Sequence, residues 1–207
     1  MRKQLAPCQA FGIHFCAMTR KYELNRRADR QAETRKRIVE ATVGLHTSVG
    51  PAQTTISAIA ERAGVQRHTV YAHFRDERKL MDACSAHWAA LHPFPDASRW
   101  TEVADPKRRL EAALDAVYEW YERVGDDLVI FKRDSSVHST TAALVERREE
   151  HLLSLRDALA TGWSRRKSVR AAIGHSLELE TWHSLVRRHG LTRTQTVAAM
   201  LRFVSSV

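Results

Sequence analysis

The chain has 207 residues, which fits one domain of ordinary size or two small ones. Hydrophobic residues make up 43% and charged residues 28% of it, a composition that excludes a disordered chain and a collagen. No apolar run approaches the roughly 18 residues of a membrane span. The odd number of cysteines (Cys8, Cys16 and Cys84) excludes a disulfide-stapled toxin and predicts reduced thiols in the cytoplasm.

The net charge of +9 is concentrated near the N-terminus. Residues 1–80 hold 15 Lys and Arg against 7 Asp and Glu, whereas residues 81–207 hold 18 against 17. A local basic excess is typical of a module that binds a polyanion, since neutralised phosphates release counterions. A solvated basic surface is the alternative that charge alone leaves open. The asymmetry predicts two functional units.

The chain begins with a segment unlike the rest. Residues 1–27 combine a short apolar stretch with basic residues and are predicted to be a disordered basic extension, with Met18 as an alternative start. His14 interrupts the apolar stretch, which argues against a signal peptide. The first clear helix is expected from about Arg30 to Val49, where apolar residues recur at helical spacing.

Two short helices and a longer one are expected next. Thr54 or Thr55 would N-cap the second helix, and Gly64 would end it in the left-handed conformation that suits glycine. The third and fourth helices are expected over about Gln66 to Phe74 and from Asp76 to Pro93.

The second half of the chain repeats the same helical signals. Asp105 and Pro106 form an N-cap followed by proline at the first helical position, and Thr192 with Gln195 forms a capping box. Further helices are expected over about 127–133, 140–160, 167–189 and 192 to the C-terminus. No stretch alternates with period 2, so no sheet is expected. The prediction is an all-α protein of about nine helices.

Residues 54–80 have the layout of a helix-turn-helix, in which the second helix enters the major groove of DNA. The exposed start of that helix would be Gln66, Arg67, His68 and Thr69. Gln suits adenine, Arg suits the N7 and O6 edge of guanine, and a Thr methyl group suits thymine. Tyr71 and His73 would project toward phosphate oxygens. Two helices joined by a glycine turn also occur in many all-α proteins, and the basic excess favours the DNA interpretation.

Residues 34–81 resemble the DNA-binding domain of TetR-type transcriptional regulators. The resemblance is carried by Ile59-Ala60, Ala63-Gly64-Val65, Thr69-Val70-Tyr71, His73-Phe74 and Leu80. It implies a DNA-binding domain, here residues 28–80, and a larger helical domain, residues 81–207, for ligand binding and dimerisation. It also implies a homodimer that represses transcription from a palindromic operator until a small-molecule effector binds.

The resemblance assigns DNA contacts to individual residues. The set comprises Thr54, Thr55, Gln66, Arg67, His68, Thr69, Tyr71, His73, Arg78 and Lys79. Two positions depart from the family pattern, because Glu77 stands where a lysine is frequent and His68 where a small residue is frequent. Arg26, Arg27 and Arg30 are either a minor-groove arm or a solvated tail.

The second domain has no shared ligand motif, so its candidates come from residue type alone. Tyr118, Tyr121, Phe131 and His138 are candidate ligand contacts, with core packing as the alternative. Apolar positions on the last two helices predict a dimer interface that includes Trp182, Leu185, Val197, Met200, Leu201 and Val204, with ordinary core packing as the alternative.

Neither a metal nor a cofactor is expected. Cys84 with His87, and His175 with Glu178, lie three residues apart, but neither pair has a third ligand at a recognisable spacing. Two other functions remain open. One is an architectural protein that binds DNA without sequence preference, and the other is an all-α enzyme, which no nucleophile, phosphate-loop or metalloprotease motif supports.

Overall fold

A computed structural model describes the backbone of residues 12–207 and the side chains of residues 26–207. No strand occurs between residues 12 and 207, and the prediction of an all-α protein is confirmed. The first part of the predicted extension, residues 1–11 with Cys8, lies outside the described residues, as does the side chain of Cys16.

The N-terminal part of the chain consists of four helices and one short turn. In chain order they are α1 (Gly12–His46), a 3-10 turn (Pro51–Gln53), α2 (Ile56–Ala63), α3 (Arg67–His73) and α4 (Glu77–Leu91). Helix α1 begins earlier than the predicted start at Arg30, and residues 12–27 are helical where a disordered extension was predicted. No glycine or proline lies between residues 13 and 43, so nothing in that stretch ends the helix.

The predicted caps of the short helices are confirmed. The Thr55 hydroxyl accepts a hydrogen bond from the Ala58 backbone N–H at 3.2 Å, and the Asp76 carboxylate accepts one from Lys79 at 2.8 Å. Gly64 ends α2 with φ +64°, a conformation that costs a side-chain-bearing residue about 1 kcal/mol or more. These local signals set where α2 begins and ends and where α4 begins.

The C-terminal helices differ from the prediction at three places. They are α5 (Ser98–Thr101), α6 (Pro106–Ser135), α7 (Ser139–Leu159), α8 (Lys167–Leu177), α9 (Leu179–Trp182), a π-helical segment (His183–Arg188) and α10 (Arg193–Ser206). Helix α5 was not predicted, the expected separate helix over 127–133 is part of α6, and the expected helix over 167–189 is interrupted at Glu178.

Two tyrosines account for the interruption at Glu178. The Tyr118 hydroxyl donates to the Ser176 carbonyl at 2.6 Å, and the Tyr121 hydroxyl donates to the Leu177 carbonyl at 2.8 Å. Phenol groups therefore satisfy carbonyls at the end of α8 that the next turn of a continuous helix would have bonded. Burial raises the pKa of both phenols, so they remain hydrogen-bond donors.

The buried side chains form two clusters that meet along α4. The first joins α1, α2, α3 and the start of α4 around Ile38, Ile59, Val70 and Phe74. The second joins α5 to α10 around Leu114, Val117, Tyr121, Ile173 and Trp182. Leu80 and Cys84 of α4 belong to the first cluster, whereas Trp88 packs against the second.

Gly125 explains why α6 continues where the sequence indicated an end. It is buried in the middle of the helix, and a Cβ added there would lie 2.4 Å from Cζ3 of Trp182. The glycine therefore makes room for the indole ring instead of ending the helix.

We predict that Gly125→Ala destabilises the protein, because the added methyl group must displace a fully buried indole. Overpacking of this kind costs about 1–3 kcal/mol, measured as the free energy of unfolding in urea. Gly174→Ala is the matched control, since its Cβ would meet only the flexible Arg156 side chain at 3.1 Å. In a helix that change is neutral or stabilises by up to about 1 kcal/mol. Equal losses in the two variants would contradict this explanation.

Candidate nucleic-acid interface and internal cavity

Helices α2 and α3 form a helix-turn-helix whose inner side is buried. Val70 and Phe74 of α3 are buried against Ile59 and Ala63 of α2. Helix α1 holds the pair from behind, because Arg37 Nη1 donates to the Ala63 carbonyl at 3.1 Å. The Arg35 guanidinium also lies 4.7 Å from the centre of the Phe74 ring, within cation-π distance. These contacts therefore hold α3, the recognition helix, by its inner side and leave its outer side exposed.

The start of α3 presents polar side chains to solvent, as predicted. Gln66, Arg67 and His68 are exposed, and Thr69 is half-buried. Within residues 26–207, no hydrogen bond or ion pair engages the side chains of Gln66, Arg67 or His68. Tyr71 is half-exposed, at 50%, and His73 is half-buried. These groups are available to base edges and phosphate oxygens.

The two threonines before α2 have structural roles within the chain. The Thr54 hydroxyl donates to the Gly50 carbonyl at 2.8 Å, and the Thr55 hydroxyl caps α2. The Thr54 hydroxyl proton is therefore used within the chain, whereas the Thr55 hydroxyl, which accepts in its cap, can still donate to a phosphate oxygen. Arg78 and Lys79 are exposed at the start of α4, where Lys79 makes a surface ion pair with Asp76 at 3.8 Å.

The basic residues before the first predicted helix are helical. Arg26, Arg27 and Arg30 are exposed on α1. An extended minor-groove arm, one of the two interpretations of these residues, is therefore not what the structure contains. The three residues instead add positive charge near the middle of a continuous helix.

The corner between α6 and α7 docks on the loop after α1. The Asp134 carboxylate accepts a hydrogen bond from the Ala52 N–H at 2.9 Å, and Arg133 Nη2 donates to the Val49 carbonyl at 2.9 Å. Gly50 has φ +102°, and a Cβ there would lie 2.3 Å from Asp134 Oδ2. Burial raises the pKa of Asp134, but hydrogen bonds from Arg133 and Ala52 outweigh it and hold the pKa below its usual value.

Glu77 and His138 join the same two parts of the chain. His138 Nδ1 accepts from the Thr141 N–H at 3.3 Å and so N-caps α7. Its Nε2 then carries the proton and donates to Glu77 Oε1 at 2.6 Å. The departure from the family pattern at Glu77 thus has a role in this chain, because Glu77 connects α4 to α7.

A cavity of about 190 Å³ lies where the two parts of the chain meet. Four helices contribute to its wall. Helix α4 lines it at i, i+3, i+4 and i+7 with Met81, Cys84, Ser85 and Trp88, and α7 does so with Thr141, Leu144, Val145 and Arg148. Helix α1 and the turn after it supply Val43, His46 and Pro51, and α6 supplies Leu128 and Phe131.

Of the four predicted ligand residues, one lines this cavity and three do not. Phe131 lines it. Tyr118 is fully buried in the core with its hydroxyl bonded to the backbone, and His138 caps α7 outside this cavity. Tyr121 lies behind the wall, where its hydroxyl accepts a hydrogen bond from Arg148 Nη2 at 2.9 Å. Core packing, the alternative interpretation, applies to Tyr118 and Tyr121.

Sequence reasoning missed His46, Trp88 and Arg148 as cavity residues. One signal was present for Arg148, because it lies four residues from both Leu144 and Leu152 and thus places a cation on the apolar side of α7. No comparable signal existed for His46, whose position depends on how α1 meets α6.

His46 is buried in the cavity wall, with 8% of its surface exposed. Burial, reinforced by nearby His138, lowers its pKa from 6.5 to about 4, and the negative charges of Glu77 and Asp134 only partly oppose this. The imidazole is therefore neutral at neutral pH. A neutral ring can serve as either donor or acceptor toward a bound molecule.

Four of the six predicted dimer residues are buried within this chain. Trp182, Val197, Leu201 and Val204 lie in the second cluster, so they cannot face another subunit as predicted. Their apolar periodicity reflects core packing against α6 and α8. Leu185 and Met200 are half-buried, and the exposed Phe203 follows Met200 by three residues on α10.

Among the described residues, no three His, Cys, Asp or Glu side chains come together as a metal site. His175 Nδ1 and Glu178 Oε2 lie 3.0 Å apart, and Cys84 faces the core. No described helix is both long and apolar enough to cross a bilayer.

The fold and the exposed recognition helix define a helix-turn-helix DNA-binding protein, and comparisons with known proteins agree. A family model described as bacterial regulatory proteins, tetR family, matches residues 38–84. The chain is 30% identical over 108 residues to the uncharacterized HTH-type transcriptional regulator TtgW of Pseudomonas putida, covering 48% of this chain and 75% of TtgW. It is 29% identical over 91 residues to the HTH-type transcriptional regulator BetI of Proteus mirabilis, covering 43% of this chain and 46% of BetI.

The fold comparison extends further along the chain. The crystal structure of AibR in complex with isovaleryl coenzyme A and operator DNA is similar with a TM-score of 0.59 at 20% identity, covering 81% of this chain and 96% of AibR. The chain belongs to the tetR family of bacterial regulatory proteins. It spans about half the length of BetI, whereas its structural match to AibR covers nearly the whole of that chain.

We predict that stability falls between pH 6.5 and pH 4 because of His46. The folded ring stays neutral down to about pH 4, whereas in the unfolded chain it takes up a proton near pH 6.5. The unfolded state thus binds more protons in this pH range. The free energy of unfolding therefore falls by roughly 3 kcal/mol across it. Urea unfolding at a series of pH values measures it.

The variant His46→Gln should flatten this part of the pH profile, because its side chain cannot take up a proton. His189→Gln, at an exposed position, is the control and should retain the wild-type slope. An unchanged slope in His46→Gln would show that other groups cause the acid loss.

Proposed function

We propose that this regulator is a homodimeric repressor that binds a palindromic operator through α3 and leaves it when a small molecule fills the 190 Å³ cavity. One observation carries the proposal. The cavity wall is built from Val43, His46 and Pro51 of the DNA-binding part, residues 28–80, and from α4, α6 and α7, whose cavity residues lie in the remainder. A molecule bound there contacts both parts at once, so its binding energy depends on their relative position.

The coupling is a shift between two arrangements. Two recognition helices of a dimer must match successive major grooves, about 34–36 Å apart. A ligand that prefers a different angle between α4 and α6 changes this distance and thereby weakens operator binding. AibR, which shares the fold, has been crystallised with both isovaleryl coenzyme A and operator DNA. A bacterial regulator meets its operator in the cytoplasm, and we place this protein there.

Selection of bound duplexes from a random pool, at near-physiological salt, tests the DNA-binding part of the proposal. Recovery of one palindromic sequence is the expected result. Recovery of no motif, with binding that disappears as salt rises, would instead favour an architectural protein without sequence preference.

We predict that Arg67 and Lys79 contribute differently to operator binding. Arg67→Ala removes a base contact, so it should weaken binding to the selected operator by about 1–3 kcal/mol and relax specificity at one base pair. Lys79→Ala removes a phosphate contact, so it should weaken binding to all sequences and reduce the salt-dependence slope by about one. Fluorescence anisotropy on specific and random duplexes measures both.

The control is Lys107→Ala, at an exposed residue in the first turn of α6. It lies about 40 Å along the helix from Asp134 and the DNA-binding part. It should leave both affinities unchanged. Parallel behaviour of Arg67→Ala and Lys79→Ala would contradict the division into base and phosphate contacts.

We predict that Phe203→Glu separates the dimer. Phe203 is 39% exposed and adjoins the half-buried Met200, so α10 retains an apolar surface after its core is packed. A buried carboxylate without a partner is unfavourable, so sedimentation should show monomers where the wild type is dimeric. Leu91→Glu is the matched control, because Leu91 is an exposed apolar residue on α4. A dimeric Phe203→Glu variant would place the interface elsewhere.

A further inference from the structure

Arg148 is a cation in a mostly apolar wall. It belongs to the stripe of α7 that faces the cavity, next to Leu144 and Val145, and it is half-buried. A guanidinium does not lose its proton in a protein, so this position is positively charged at every physiological pH. The cavity therefore has a fixed positive charge on one side.

The Arg148 guanidinium lacks the partners that its position calls for. Nη2 donates to the Tyr121 hydroxyl at 2.9 Å, and its carbon lies 5.4 Å from the centre of the Tyr121 ring. Nε is buried without an acceptor, and within the described residues Nη1 has none either. No carboxylate of the described residues makes an ion pair with it within 4 Å. The guanidinium is half-buried and its charge is not balanced by a nearby carboxylate, so an anion beside it would be stabilised.

Two other cations of this protein have acceptors at their charged ends. Although its Nε also lacks an acceptor, Arg109 donates through both terminal nitrogens to the backbone carbonyls of Val103 and Thr161. Lys132 pairs with Glu180 and, at 3.5 Å, with Glu149. Glu180 is close enough for the Arg148 charge to lower its pKa, but its carboxylate is bound to Lys132. Arg148 is thus left to interact with a molecule in the cavity.

The remaining wall sets the size and shape of that molecule. Trp88 and Phe131 meet edge to face at 6.0 Å, and a hydrogen bond from Trp88 Nε1 to Asp127 at 2.9 Å fixes the indole. An apolar cavity of about 150 Å³ accommodates benzene, so 190 Å³ suits one ring or a short branched chain with a small polar group. The neutral His46 and the Ser85 hydroxyl can meet polar atoms but add no charge.

We infer that the effector is a small carboxylate with an aromatic or short aliphatic body, whose carboxylate binds Arg148 and whose body contacts Trp88 and Phe131. This inference rests on the proposed function only in taking the cavity as the effector site. Arg148 can offer its remaining N–H groups to the two carboxylate oxygens. Tyr121 acts as a positioning residue, because its hydroxyl holds the guanidinium from behind.

Calorimetric titration of the full chain, without DNA, tests the inference. The probes are benzoate, phenylacetate, indole-3-acetate and hexanoate, each compared with its own amide, which has nearly the same shape and no charge. At least one acid should bind about tenfold or more tightly than its amide, since a charged hydrogen bond exceeds a neutral one. Binding of no acid in preference to its amide would overturn the inference without any variant being needed.

Variants of Arg148 then test whether this residue causes the preference for the acid over its amide. Arg148→Met should reduce the affinity for the acid to that of the amide, and Arg148→Lys should keep part of the difference. Arg147→Met is the matched control, because Arg147 is the exposed neighbour on the same helix, and it should retain the wild-type preference. A preference that persists in Arg148→Met would place the carboxylate elsewhere and contradict the inference.

Failure of this inference can be told apart from failure of the proposed function. The acid that binds is added to the complex of wild-type protein with its selected operator. Acid binding at Arg148 without release of the operator would support the ligand class and contradict ligand-released repression. Release of the operator by an amide as readily as by its acid would support repression and contradict the ligand class.

Discussion

The arrangement of the whole molecule depends on the close contact between Asp134 and the loop after α1. The Asp134 carboxylate approaches the backbone so closely that only glycine fits at position 50, and Ala52 and Arg133 both donate to it. A buried carboxylate needs such donors, because burial alone would favour its neutral form. This contact places α6 beside α1 and α4, and the cavity is the space that remains between them.

Helix α4 supports the recognition helix α3 and also lines the cavity. Helix α4 contributes Leu80 to the core beneath the recognition helix and Trp88 to the cavity, with Glu77 linking its first turn to His138. Because α4 is one rigid helix, movement of its cavity side also moves the side that supports α3. The core beneath α3 and the cavity are thus joined by a single helix.

Local signals in the sequence predicted the bounds of α2, α3 and α4 well, although α1 begins earlier than expected. The caps at Thr55, Gly64 and Asp76 depend on residues within one helical turn, so the sequence contains all that defines them. The continuity of α6 through Gly125 depends on Trp182, which is 57 residues away, and the end of α8 depends on tyrosines of α6. Such distant contacts leave no periodic pattern, and the cavity residues of α1 were missed for the same reason.

The long helix α6 is held at several points along its length. Trp182 packs against Gly125, Asp134 lies about 14 Å from that glycine toward the C-terminal end, and Pro106 lies about 29 Å toward the other end. Buried side chains of α6 extend from Leu110 to Leu128 between these points, so the whole second cluster resists a displacement of the docking corner. The N-terminal end of α6 is held as well, because Trp163 Nε1 donates to the carbonyl of Pro106 at 3.3 Å.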